Sequence, residues 1–203
     1  MDSNEAVEHL ATIRKIMESA TKLTVLPGRA AIAGGVLALV GSVISYRLLG
    51  GLSFGAAATM SARQQCAVAG LWMGVALIAV VVDILFTVRL AKKQGRSPWS
   101  RMGQLAAYTM GPAVLVASAL TVSLTDHGLW EPLPAIWMML YGVAVWMSSL
   151  LSTRAPGLLG LFFLFAGFAT LMWAGPVALV MVALTFGAAH IVYGIYLLKR
   201  FGE

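Results

Sequence analysis

Six long apolar runs separated by short polar connections make up most of the chain. They lie at about 29–49, 66–88, 102–124, 133–151, 157–173 and 176–198. A helix needs about 20 apolar residues to cross roughly 30 Å of hydrocarbon, and each run is near that length, the fifth being the shortest. Residues 3–25 follow a different rhythm. Ala6, Leu10, Ile13, Met17 and Ala20 fall on one helical face and Glu8, Lys15, Glu18 and Lys22 on the opposite one. Asp2 with Glu5 fits a capping box, and Pro27-Gly28 ends the segment. The pattern predicts an all-α protein: an amphipathic N-terminal helix (1–27) followed by a six-span transmembrane domain (28–203).

Punctuation supports these boundaries. Pro27, Pro132, Pro134, Pro156 and Pro176 stand just before or at the start of a run, where a missing N–H costs nothing. Only Pro112 falls inside one, where a kink is expected. Trp130, Trp137 and Trp173 lie near the proposed interfaces, which amphipathic rings favour. Residues 48–65, rich in Gly and Ala, are expected to extend a helix beyond the membrane; the alternative is a re-entrant loop enclosed by protein. Gly34, Gly35 and Gly41, the pair Gly70-x-x-x-Gly74 and the pair Ala183-x-x-x-Gly187 are read as places where helices of the bundle approach closely. No internal repeat is evident.

Composition agrees with a membrane protein. Of 203 residues 60% are hydrophobic and 11% charged, and the mean hydropathy is +0.86, outside the range of soluble domains. The formal charge of +6 does not point to nucleic acid, because the cations sit at the ends of apolar runs rather than along a basic stripe. Twelve of the fourteen Lys and Arg fall on one side if the N-terminus is cytoplasmic, leaving only Arg47 and Arg63 opposite. The segment with Arg89, Lys92, Lys93, Arg96 and Arg101 holds the densest group of cations and sets the topology, in contact with lipid headgroups. Both termini are thus expected in the cytoplasm and the protein in a bacterial inner membrane. Acids at Asp2, Glu5, Glu8 and Glu18 exclude a cleavable signal peptide, and one cysteine, Cys66, excludes an internal disulfide.

Few residues can carry chemistry. Asp83 is the only acid inside a run and His190 the only histidine inside one. An ionisable group within the bilayer is a functional-site hypothesis by default. Their similar depth allows a hydrogen bond between them. Gly187, Tyr193 and Gly194 share the helical face of His190, which makes Tyr193 a third candidate. Against this stand ordinary structural roles for both: an acid paired with a nearby cation or serine, and a histidine bonded across a helix contact. Asp126, His127 and Glu131 lack a recognised metal spacing and read as solvated turn residues. His9, His127 and His190 lie at three levels, which disfavours haem. No metal or cofactor is implied. Tyr141, Trp146, Phe162, Phe163, Phe165 and Phe168 either pack together or line an apolar pocket, packing being the commoner outcome.

Ile13-Arg14-x-Ile16-Met17-Glu18, Gly95-x-x-x-Trp99 and Phe186-Gly187-x-x-His190-Ile191-Val192-Tyr193-Gly194 resemble a family of small bacterial integral membrane proteins with no assigned biochemical function. The resemblance implies a six-span fold and no catalytic residue. Three functions follow from the residues: a non-enzymatic bundle that binds or moves a small or lipidic molecule; a regulatory or assembly subunit docking a cytoplasmic partner through its N-terminal helix and basic loop; and a lipid-acting enzyme. The last ranks lowest, since an active site needs several convergent polar groups. The lipid bilayer is the one partner implied directly, with association between copies left open.

Overall fold

The computed structural model describes residues 27–93, 95, 97, 101–150 and 154–201. The helix expected over 3–25, Arg96 and Trp99 lie outside them. Among the described residues the chain is helical, without strands. The main helices are α1 (Gly28–Leu49), α2 (Ala62–Lys93), α3 (Arg101–Asp126), α4 (Leu133–Ser149), α5 (Arg154–Ala169), α6 (Ala178–Val182) and α7 (His190–Phe201). Four helical stretches are long and apolar enough to cross a membrane: Gly28–Leu49, Ala62–Lys93, Ala107–Asp126 and Ala155–Arg200, with the shorter apolar Leu133–Ser149 beside them.

Local chemistry sets several ends. Gly50 closes α1 in the left-handed region at φ 67°, its N–H reaching the Tyr46 carbonyl at 3.0 Å. The start of α2 is held by Ser61 and Gln64: the Gln64 Oε1 accepts from the Ser61 N–H at 3.1 Å and its hydroxyl at 2.8 Å. Gly128, at φ 72°, ends α3.

The stretch Ala155–Arg200 is not one straight rod. On a straight helix Phe163 and Phe186 would stand about 35 Å apart at about 1.5 Å per residue, yet their ring centroids are 4.8 Å apart. The chain therefore doubles back. It does so through a π-helical turn (Thr170–Ala174) and a short 3-10 turn (Gly175–Val177), with bends at Ala174 (φ −106°, ψ 15°) and Val177 (φ −118°, ψ 25°). A second π-helical stretch, Ala183–Ala189, joins α6 to α7.

Close backbone approaches bind the legs in antiparallel pairs. A Cβ on Gly28 would lie 2.7 Å from the Gly194 carbonyl oxygen, and one on Gly35 equally close to that of Gly187, so α1 runs against the last leg. Gly142 and Gly160 bring α4 and α5 together in the same way. The expectation that every small residue packs is corrected here. Gly34, Gly70 and Gly74 have nothing within 4 Å of an added Cβ, so the Gly70–Gly74 pair faces away from the described bundle.

Two apolar cores fill the interior. One lies beside the α1–α2 connection and joins Leu49, Phe54, Trp130, Leu133 and Ala178; the other joins Met138, Phe163, Ala166 and Val182. The expected helical extension across 48–65 is largely replaced by a cap. A 3-10 turn, Phe54–Thr59, folds over the bundle end and buries Phe54 and Ala57 completely. Apart from Phe54 and Ala57 the connection is half-buried or exposed, and only Ala62–Gln65 lengthen α2. Phe54 meets Trp72 of α2 at 5.9 Å and Trp137 of α4 at 5.8 Å. Each indole N–H finds a hydroxyl on a neighbouring helix, Trp72 donating to Ser45 at 3.3 Å and Trp137 to Thr121 at 2.9 Å.

Candidate functional site

Near the middle of the bundle a small polar group sits among aromatic rings. His190 opens α7 directly after the second π-helical stretch. Such widened turns shift a side chain away from the direction a regular α-helix would give it, and are frequent at functional sites. His190 Nδ1 lies 3.3 Å from the carbonyl oxygen of Thr185, and Nε2 lies 2.7 Å from the Tyr141 hydroxyl. A carbonyl oxygen only accepts, so Nδ1 carries the proton. Nε2 is then the acceptor, and the Tyr141 O–H donates to it. The tautomer is thus fixed by partners on α4 and within the last leg. The Tyr141 oxygen keeps lone pairs for a further donor.

Rings enclose the imidazole. Phe163 meets it edge-on at 5.3 Å, Phe186 stacks at 6.1 Å with planes 8° apart, and Tyr141 lies at 5.3 Å. Tyr193 belongs to the same cluster. Its hydroxyl oxygen is buried and has no hydrogen-bond partner among the described residues, which is costly in an apolar interior.

The sequence-predicted residues are only partly brought together. His190 and Tyr193 lie in one cluster. Asp83 does not bond to His190, whose two ring nitrogens are already engaged by Tyr141 and Thr185. It lies on an exposed part of α2. Among the described residues it has no ion pair or hydrogen bond. The single face expected for Gly187, His190, Tyr193 and Gly194 is also divided: the glycines lie against α1, while His190 and Tyr193 turn toward the Met138–Phe163 core. Of the aromatic group, Tyr141 and Phe163 join the cluster, whereas Trp146, Phe162, Phe165 and Phe168 are exposed. Phe186 and the Thr185 carbonyl were missed, because their contribution depends on the π-helical turn.

Arg89, Lys92 and Lys93 close α2, and Arg101 opens α3. Lys199 and Arg200 stand in the last turn of α7, at the same end of the bundle as Gly28 and Arg29. His127 Nδ1 bonds the Ser123 carbonyl of its own helix at 2.7 Å. Among the described residues no three His, Cys, Asp or Glu side chains gather closely enough to hold a metal ion.

The fold defines the class: an all-helical chain with several apolar helices of membrane-crossing length. Comparison with protein-family models, characterised proteins and solved structures finds no match, so no family is assigned.

Proposed function

We propose that this protein is a non-enzymatic six-span bundle of a bacterial inner membrane, both termini cytoplasmic, that binds or moves a small or lipidic molecule. The observation that carries the reading is the polar cluster itself: a histidine of fixed tautomer, a tyrosine oxygen with acceptor capacity, and the unpartnered Tyr193 hydroxyl. A donor and an acceptor set among rings suit a mostly apolar molecule with one or two polar atoms. The six-leg count is supported by the doubling back at Thr170–Val177, which divides the longest apolar stretch in two. The orientation is supported by the cations at one end, which the positive-inside rule places in the cytoplasm.

The test is mass spectrometry of what copurifies with the protein in a mild detergent. A small molecule or lipid retained by the wild type and lost from His190→Ala and Tyr141→Phe, at equal expression and folding, is expected. Equal retention by both variants would overturn the reading. The alternative is a regulatory or assembly subunit that docks a cytoplasmic partner through its N-terminal helix and basic loop. A stoichiometric polypeptide in place of a small molecule would establish it.

A further inference from the structure

At the capped end, away from the His190 cluster, lies an open groove of about 330 Å³, formed where the last turns of the α5 leg meet the start of α4. That volume is within the roughly 300–1,000 Å³ range of small-molecule sites. Glu131, just before α4 and open to solvent, supplies its carboxylate. Two glycines from separate turns flank that group. A Cβ on Gly175 would lie 2.6 Å from Glu131 Oε1, and one on Gly55 would lie 3.8 Å from Oε2. Among the described residues no cation pairs with this carboxylate and no donor bonds it.

The opposite wall carries the same electrostatic preference. Residues Thr170–Ala174 are the carboxyl end of a long helical leg. The last carbonyls of a helix point outward and give that end a partial negative charge. Trp173, also in the wall, is 75% exposed and meets Phe168 at 5.8 Å. An indole face attracts a cation and favours an alkylated ammonium. A bare metal ion would need more oxygen ligands than one carboxylate offers. Beyond the groove the exposed Phe165, Phe168 and Met172 continue an apolar stripe along the same leg, suited to a hydrocarbon tail.

We infer that this groove binds the ammonium head of a cationic amphiphile, with Glu131 as counter-ion, Trp173 against the head and the α5 stripe under the tail. The groove is separate from the His190 cluster and does not depend on the function proposed for it. Zwitterionic phospholipid is a poorer occupant, because among the described residues no cation lines the groove to meet its phosphate.

The experiment is native mass spectrometry of the full chain in nonionic detergent, titrated with decyltrimethylammonium, tetramethylammonium or decyl sulfate. One saturable decyltrimethylammonium is expected. Glu131→Gln should weaken it about tenfold, equivalent to about 1.4 kcal/mol. Gly175→Ala should weaken it comparably by displacing the carboxylate without removing its charge. Circular dichroism of each variant checks folding. Unaltered binding by folded Glu131→Gln, equal binding of decyl sulfate, or the absence of saturation in the wild type would overturn the inference. Tetramethylammonium binding as tightly as the alkylated probe would overturn the assignment to an amphiphile.

Discussion

The two tyrosines beside His190 make opposite demands on the interior. Tyr141 satisfies a buried ring nitrogen, so Tyr141→Phe leaves that acceptor without a donor. The expected loss is about 1–3 kcal/mol, seen as a lower midpoint of thermal unfolding in detergent. Tyr193 holds a hydroxyl with no partner, so Tyr193→Phe should leave the midpoint unchanged or raise it. A clear fall for Tyr193→Phe would mean that its hydroxyl is bonded in the working protein. His190 was legible as a candidate because it is the only histidine inside an apolar run. Its partner was not. Depth along a helix can be counted from sequence, but which helices adjoin depends on packing, and that packing places Tyr141 rather than Asp83 against the ring.

At the scale of helices, small residues with the same appearance in sequence have different surroundings. Gly35 sits against the last leg, where an added Cβ would lie 2.7 Å from both the Gly187 carbonyl oxygen and Ile191 Cγ1. Gly35→Ala should cost about 1–3 kcal/mol by overpacking. Gly70→Ala, with open space around it, should be neutral or slightly stabilising, since alanine is the better helix former. Unfolding midpoints of the two variants check the contrast; equal losses would mean that the Gly70 face is covered. The all-helical class and the long apolar elements were legible from hydropathy alone. The π-helical turns were not, because they insert a change of phase that a single 3.6-residue period averages away.

For the molecule as a whole, the cations define one end and the Phe54 cap the other. Labelling with a membrane-impermeant thiol reagent, on a Cys66→Ser background, checks the proposed orientation. Lys92→Cys should react only after the inner membrane is opened, whereas reaction in intact spheroplasts would reverse the topology. The cap was only half legible. Its Gly and Ala content set it apart from the apolar runs but pointed to a helical extension, and the burial of Phe54 depends on two tryptophans from distant segments.

That cap is also tied to the opposite side of the bundle. The Leu179 N–H, in the first turn of α6, donates to the Leu52 carbonyl at 3.0 Å, and the Glu131 side chain is wedged between Gly55 and Gly175. The α1–α2 connection does not swing aside alone: moving it breaks that backbone hydrogen bond to the final leg. Opening this end therefore means parting two segments more than a hundred residues apart in the chain, not lifting one loop.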